Sequence, residues 1–238
     1  MNAPPTVTAG ALTLLCADLD ARPLFWTEDD GRRDGYEPAI AAALAARLGL
    51  ELRWRFVRWA DFRPALERGA ADAIWCGQAI TPARREQVLF GRPYARFDEA
   101  VVMRAGETVA AGAELRGRRV GAIVASTNMA LAESFGAVET VAFDGTSDDV
   151  LAEMLDALRD GAVDAVVDDE PAFLDLDDPA LRVAFTCPTH NLWAAALRRG
   201  EDELCAALDA ALAAIDLALP WRRWLPALPF PAELAGRA

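Results

Sequence analysis

The sequence predicts two similar α/β lobes, each built on an open, mostly parallel sheet flanked by helices. Short apolar runs alternate with stretches of helical periodicity, an order typical of parallel sheets, and this alternation starts twice along the chain. The segments 66–77 (LERGAADAIWCG) and 158–169 (LRDGAVDAVVDD) also share one helix-to-strand pattern at a constant offset of 92 residues. We interpret this pattern as an internal repeat; the alternative is coincidence in a chain rich in alanine and aspartate.

The first half of the chain predicts three strands and two helices. Ile40, Leu44 and Leu48 recur at helical spacing, and Gly49 ends that helix. Leu52, Trp54 and Phe56 alternate with arginines, which indicates a strand with one solvated face. In chain order the predicted elements are a buried strand at 13–18, a helix at 38–50, a strand at 51–57, a short helix at 61–69 and a buried strand at 71–76.

The second half repeats the same order of elements. Ser126 or Thr127 is the predicted N-cap of its first helix. Beyond residue 200 the pattern is helical, and Trp221 and Trp224 are expected to pack in the core or to brace a lobe. The predicted elements are a strand at 118–124, a helix at 126–135, a strand at 138–143, a helix at 146–161 and a strand at 163–167.

Polar residues follow the predicted strands at their carboxyl ends, where open α/β sheets bind ligands. The strand ends are Asp18 and 75–77 in the first half, and 126–127 and 168–170 in the second. Two lobes facing each other would close a polar crevice at these ends.

Composition excludes several classes of partner and site. A net charge of −13 argues against nucleic acid and against an anionic membrane surface, and no apolar run is long enough to span a bilayer. With one histidine, His190, and no CxxC pair, we expect no metal and no cofactor, and the four cysteines are expected to be reduced. Residues 1–10 are expected to be flexible and carry no signal-peptide pattern. Either the protein stays inside the cell, or a leader has been cleaved and the protein is periplasmic or extracellular.

The stretch ITPARREQVLFGRPY (80–94) places two cations where a helix should begin. Its Thr-Pro pair predicts a helix start, and Arg84 and Arg85 would then occupy the positive end of the helix dipole, which favours acids. Either both arginines are solvated, or one of them faces an anionic ligand.

The order and spacing of several segments resemble the bacterial family 3 extracellular solute-binding proteins, the amino-acid receptors of ABC transporters. The resemblance covers nearly the whole chain after about residue 11. It implies a type II periplasmic-binding fold whose two lobes, 11–94 plus 196–238 and 95–195, are joined by two hinge strands and close on a small amino-acid-like ligand. The segments that carry it are 13–26 (TLLCADLDARPLFW), 34–94, 115–127 (LRGRRVGAIVAST), 158–173 (LRDGAVDAVVDDEPAF) and 192–204 (LWAAALRRGEDEL).

The resemblance implies how the two ends of an amino acid would be held. Arg84 matches the arginine that grips the ligand carboxylate through its planar fork, and the alternative is a salt bridge within its lobe. Asp169 matches the acid that binds the ammonium group, and Asp18 matches a second acid near the ligand; the alternatives are a helix N-cap and a strand-end turn. The further implied ligand-binding residues are Gly77, Trp59, Ser126, Thr127 and Asn128.

The chain departs from the family pattern at two positions. Ala79 stands where a hydroxyl side chain is common, and near Ala21 an aromatic lid is missing, with Phe25 and Trp26 close by instead. The carboxylate clamp has therefore lost a hydroxyl, and the acids and tryptophans around the presumed site suggest a cationic or aromatic ligand.

Two other functions stay open from the sequence. The same fold resembles cyclohexadienyl dehydratase, in which Glu170 would be the general acid, Asn128 would orient the leaving hydroxyl and Arg84 would hold the carboxylate. A ligand-sensing module that docks on a partner is the third interpretation. For the receptor interpretation the expected partners are the solute and an ABC transporter permease, and the protein is expected to be a monomer.

Overall fold

The protein has the two-lobed α/β fold that the sequence predicts. In a computed structural model that describes residues 4–136, 138–144 and 149–235, the chain forms two compact units. Unit 1 comprises Met1–Arg96 and Asn191–Ala238, and unit 2 comprises Phe97–His190. Two long strands, Leu89–Arg104 and Leu181–Leu197, carry the chain from one unit to the other.

Unit 1 contains a sheet in which two strands pair in parallel with β1. The last residues of β10 close its edge in antiparallel fashion, so the order is β4-β1-β5-β10. Its elements are β1 (Ala11–Cys16), β2 (Trp26–Thr27), β3 (Arg33–Asp34), α1 (Tyr36–Leu48), β4 (Glu51–Phe56), α2 (Phe62–Glu67), β5 (Ala73–Ile74), α3 (Pro82–Arg85), the first half of β6 (Leu89–Arg104), the end of β10 (Leu181–Leu197), α6 (Asp202–Ala213) and α7 (Ala218–Trp224).

Unit 2 has a sheet of the same arrangement, in the order β8-β7-β9-β6. Its strands correspond in turn to β4, β1, β5 and β10 of unit 1. Adjacent residues of each strand point to opposite faces, so Val101 and Val167 pack with Met129 of the first helix, whereas Val102 packs with Met154 of the second. Its elements are the end of β6, β7 (Arg119–Ile123), α4 (Thr127–Ser134), β8 (Glu139–Phe143), α5 (Val150–Arg159), β9 (Ala165–Asp169) and the start of β10.

In both units an aspartate just before an inner strand, β5 or β9, forms two hydrogen bonds with one residue of the neighbouring strand. In unit 1 the amide of Asp72 donates to the carbonyl of Thr13 (2.9 Å), and the amide of Thr13 donates back to Oδ2 of Asp72 (2.7 Å). In unit 2 the amide of Asp164 donates to the carbonyl of Arg119 (2.8 Å), and the amide of Arg119 donates to Oδ2 of Asp164 (2.9 Å). We call this two-bond ring the strand-entry clasp.

An arginine then ties the preceding helix end to the clasp. In unit 1, Nη1 of Arg198 donates to the carbonyls of Leu66 (3.3 Å) and Ala71 (3.0 Å), and the guanidinium also pairs with Glu201.

Arg104 makes the same contacts in unit 2. Its Nη1 donates to the carbonyls of Leu158 (2.8 Å) and Val163 (2.9 Å), which stand 92 positions after the partners of Arg198, and its guanidinium lies 3.7 Å from Glu107. The internal repeat inferred from the sequence is therefore confirmed at the level of individual hydrogen bonds.

The strand predicted at 71–76 is shorter in the structure, where β5 covers only Ala73–Ile74. The amide of Trp75 still donates to the carbonyl of Leu15 (2.9 Å), but Gly77 adopts a left-handed conformation with φ 57°. A positive φ cannot continue a β ladder, so the chain leaves the sheet here.

Of the two C-terminal tryptophans, Trp221 packs in the core of unit 1, as the sequence predicts, and Trp224 is half-buried. The Trp221 ring is 2% exposed and lies edge-on to Tyr36, with ring centroids 5.4 Å apart. Trp224 packs edge-on against Trp26 at 5.3 Å.

Within the described residues, none of the helices is by itself long and apolar enough to cross a membrane. Helices α6 and α7 meet the length and composition criteria only when taken together, and they are bent by 73° at the break between them.

The clasp predicts a large stability difference between two aspartate substitutions. Asp72→Ala should lower the free energy of unfolding by about 2–4 kcal/mol, because the buried carboxylate accepts from the amides of both Val7 and Thr13 (2.7 Å each) and both donors lose their acceptor. Asp177→Ala, at an exposed position, is the control and should change stability by less than about 0.5 kcal/mol. Urea unfolding measures both, and equal losses in the two variants would show that the clasp does not stabilise the fold.

Candidate ligand-binding residues in each unit

Arg84 lies in a helix of a single turn, α3. Thr81 caps it, because its hydroxyl oxygen accepts from the Arg84 amide (3.1 Å). Arg84 and Arg85 stand in the last turn as well as near the start, and one turn of peptides has only a small dipole. The helix start predicted from the Thr-Pro pair is confirmed, but in so short a helix the positions of Arg84 and Arg85 do not indicate an anionic ligand.

The Arg84 side chain is positioned by two other predicted site residues. Its Nη1 donates to the carbonyl of Ala79 (3.2 Å), and its guanidinium carbon lies 6.0 Å from the centroid of the Trp59 ring. Trp59 in turn packs against Phe62, with ring centroids 5.3 Å apart. Unit 1 thus brings Arg84, Ala79 and Trp59 together, whereas Arg85 is exposed.

Gly77 is held by a buried glutamate that the sequence analysis did not identify. Its amide donates to Oε1 of Glu37 (2.9 Å), and the hydroxyl of Tyr94 donates to the same oxygen. Glu37 is 1% exposed, and burial raises the pKa of its carboxyl to about 7. In the sequence Glu37 directly precedes the helix predicted at 38–50, so nothing marked it as buried.

The backbone groups of Gly77 are used within unit 1. Its carbonyl accepts from the amide of Ala79 (3.0 Å). A Cβ at Gly77 would lie 3.3 Å from the Trp193 ring, and the positive φ independently favours glycine. These contacts account for glycine here, and a ligand contact at this residue stays a prediction.

Asp18 follows β1 and has two partners. Its Oδ1 accepts from the hydroxyl of Thr27 (2.7 Å) and lies 3.4 Å from Nη1 of Arg33. Sequence reasoning missed Arg33, because in DGRRDG (30–35) nothing distinguishes it from Arg32. The side chain of Arg32 is 58% exposed, whereas that of Arg33 is 1% exposed.

Trp26 has the contacts of a core residue. It is 7% exposed, packs against Trp224, and carries the guanidinium of Arg22 at 4.7 Å from its ring centroid. A contact between Trp26 and a ligand stays a prediction.

Cys16 and Cys76 stand at the ends of neighbouring strands and approach each other. Burial, and next the hydrogen bond to Cys16, raise the pKa of the Cys76 thiol. The amide of Ala17 donates to Sγ of Cys76 (3.4 Å), and all four cysteines are free thiols.

In unit 2, Ser126 is the N-cap of α4. Its hydroxyl oxygen accepts from the amide of Met129 (3.0 Å) and donates to the carbonyl of Ile123 (2.6 Å). Thr127 and Asn128 form the first turn, where helix amides lack partners within the helix. Such a terminus suits a carboxylate, so capping and ligand binding are compatible here.

Asp168 links Asn128 to Asp169. Its Oδ1 accepts from Nδ2 of Asn128 (2.8 Å) and from the amide of Asp169 (2.8 Å). Burial, together with the nearby charge of Glu99, raises the pKa of Asp168 to about 6. Asp169 precedes a short 3-10 turn, but its side chain does not cap that turn, which removes the capping explanation for this acid.

Glu170 is half-buried, and this burial, together with Asp98, raises the pKa of its carboxyl. Asp98 also lies 2.8 Å from the ring nitrogen Nδ1 of His190, the single histidine of the chain.

Comparison with known proteins matches this chain to a described family. A family model described as bacterial extracellular solute-binding proteins, family 3, matches residues 14–218. The chain is 28% identical over 198 residues to the L-cystine-binding protein TcyJ of Escherichia coli strain K12, across 80% of this chain and 72% of that protein. It is 22% identical over 222 residues to a probable histidine-binding protein of Neisseria gonorrhoeae, across 88% and 80%. Among solved structures, an ancestral arginine-binding protein bound to arginine has a TM-score of 0.82 at 24% identity over 91% of this chain and 98% of that one, which shows the fold.

The buried carboxyl of Glu37 predicts a pH dependence of stability. Its folded-state pKa, about 7, lies above the ordinary 4.5, so the native state holds a proton that the unfolded state releases. The free energy of unfolding should therefore fall as pH rises from about 4.5 to about 7, by about 3 kcal/mol from this group. The side chain of the Glu37→Gln variant cannot ionise, so its free energy of unfolding should not fall over this pH range. At pH 8 the variant should therefore be more stable than the wild type.

Urea unfolding at half-unit pH steps measures the difference between the two proteins. Glu67→Gln, whose side chain is 60% exposed in α2, is the matched control and should keep the wild-type slope. A Glu37→Gln profile parallel to that of the wild type would contradict the assignment.

Proposed function

The chain belongs to the bacterial extracellular solute-binding proteins, family 3, and we propose that it binds a small amino-acid-like solute as the receptor of an ABC transporter. The family resemblance inferred from the sequence is confirmed by the match over residues 14–218. The proposal is carried by one observation above all, the guanidinium of Arg84 held between a backbone carbonyl and an aromatic ring.

The relatives indicate which chemical groups the ligand would contain, but they do not identify the ligand. The proteins described above are named for cystine, histidine and arginine. These solutes differ in their side chains but have the α-carboxylate and the α-ammonium group in common. We therefore assign the shared groups to the residues with charge and donors suited to them.

Arg84 is the proposed partner of the α-carboxylate. The contact from Nη1 to the Ala79 carbonyl and the Trp59 ring restrict the guanidinium before a ligand arrives. A planar fork that is already oriented loses little conformational entropy when it binds a carboxylate. Ala79 adds no hydroxyl of its own, which increases the dependence on Arg84.

Asp169 is the proposed partner of the α-ammonium group, with the start of α4 as a second contact for the carboxylate. Asp168 supports both, because its carboxylate is bonded to the Asn128 side chain and to the Asp169 amide. Oriented donors and acceptors of this kind favour binding because they do not have to reorganise.

The dehydratase interpretation is less well supported than binding. It requires Asn128 to orient a substrate hydroxyl, but Nδ2 of Asn128 donates to Asp168, and the residue is 4% exposed. The relatives described above are named as binding proteins.

Arg84→Ala should lower the affinity for the amino acid found in a thermal-shift screen by about thirtyfold or more, because a charged hydrogen-bonded partner of the ligand is lost. Arg84→Lys keeps the charge without the planar fork and should give an intermediate loss. Arg85→Ala is the matched control, since it removes an adjacent but exposed arginine. Titration calorimetry measures all three, and equal affinity of the Arg84→Ala variant and the wild type would refute the carboxylate assignment.

Asp169→Asn should lower affinity for the same ligand by about tenfold or more, because the carboxylate that neutralises the ammonium group is removed. An analogue that lacks the α-amino group tests the pairing directly. If the two groups interact, the variant should lose much less affinity for this analogue than for the amino acid. Asp177→Asn, an exposed change of the same charge, is the control; identical losses for both ligands in Asp169→Asn would exclude the pairing.

A further inference from the structure

Arg33 is a buried cation in unit 1 whose position bears on ligand selectivity. It lies in the short strand β3, and its side chain is 1% exposed. The guanidinium carbon lies 4.8 Å from the ring centroid of Phe25 and 5.0 Å from that of Phe56. These aromatic faces and the surrounding backbone fix the guanidinium in one place.

The polar contacts of Arg33 direct it at the end of β1. Nη2 donates to the carbonyl of Ala17 (2.6 Å) and to Sγ of Cys16 (2.8 Å). Nη1 donates to the hydroxyl of Thr27 (2.9 Å) and lies 3.4 Å from Oδ1 of Asp18. Among these four acceptors only Asp18 carries a formal charge.

Stability alone gives little reason for an arginine at this position. A buried charge costs free energy unless it is paired and fully hydrogen-bonded. The Nε–H group of Arg33 is buried without a hydrogen-bond partner among the described residues. The ion pair with Asp18 is long at 3.4 Å, and the Asp18 side chain is 52% exposed.

The pair changes what Asp18 can do for a ligand. Alone, a half-exposed carboxylate after β1 would attract a cationic side chain, which is the role that the sequence suggested. With a fixed guanidinium 3.4 Å away, the local charge is balanced, and a second cation brought to Asp18 would also approach Arg33. Like charges at such distances repel each other at a protein surface as well as in a buried site.

We propose that Arg33 makes this protein selective against solutes with a cationic side chain, so that its ligand is an α-amino acid with a neutral or acidic side chain. This inference rests on the proposed function, since it concerns the side chain of the same amino-acid ligand. Arg33 takes the place beside Asp18 that the basic group of a cationic ligand would need.

The test is a binding screen of the wild-type protein by thermal shift and calorimetry. The panel contains the twenty standard amino acids together with citrulline and norleucine, which match arginine and lysine in shape but lack the charge. We expect the best ligands to have neutral or acidic side chains, and arginine and lysine to bind more weakly than citrulline and norleucine. Arginine or lysine among the best ligands would overturn the inference and leave the proposed function standing. No binding of any member would overturn both.

Two variants separate selectivity from structural support. Arg33→Leu should improve the affinity for arginine or lysine relative to its neutral match by about tenfold or more, because Asp18 is then unopposed. Adding Asp18→Asn to Arg33→Leu should remove that gain, a result that lost packing alone would not produce. Arg32→Leu is the matched control: it removes the same charge from an exposed neighbour and should keep the wild-type preference. An unchanged preference in a folded Arg33→Leu protein would overturn the inference, and if that variant does not fold, the wild-type panel still decides.

Discussion

The strand-entry clasp is the interaction on which both units depend. In each unit one aspartate, just before β5 or β9, accepts from a backbone amide of the neighbouring strand and donates its own amide to the carbonyl of the same residue. These two bonds set the register of β5 against β1 and of β9 against β7. An arginine then bonds the end of the helix before the clasp, with Arg198 donating to the carbonyl of Leu66 and Arg104 donating to that of Leu158. The two units share this arrangement because the register of a parallel pair must be specified by something other than a tight turn.

A set register determines which residues stand where the strands end. In unit 1 the ladder ends just before Trp75, and Gly77 turns the backbone away from the sheet. In unit 2 the corresponding strand continues to Asp169, and Asp168 bonds the first turn of α4. The candidate ligand-binding residues of each unit are thus positioned by backbone geometry, and buried side chains such as Glu37 hold that geometry in place. A change far from any ligand atom can therefore affect recognition.

The two units distribute charge differently around their candidate residues. In unit 2, burial raises the pKa of Asp168, and the nearby negative charge of Glu99 raises it further. Unit 1 places two arginines there, with Arg33 beside Asp18 and Arg84 over Trp59. The net charge of −13 is a sum over the whole chain, so it does not reveal this difference between the units.

By itself, the sequence determined the alternation of helices and strands in each half, the internal repeat, an N-cap at Ser126 or Thr127 and the family resemblance. Periodicity reports which face of a regular element is buried, and capping and turn residues act over a few positions, so these features are local. Only the tertiary structure decided that Arg33 and Glu37 are buried, that Trp26 packs on Trp224, and that the helix of Arg84 is a single turn. Short turns and two-residue strands have no periodicity to reveal burial. Gly77 and Tyr94, which bond the Glu37 carboxyl, and Trp224, which packs on Trp26, also lie at least 40 residues away in the chain, so these contacts exist only once unit 1 is folded.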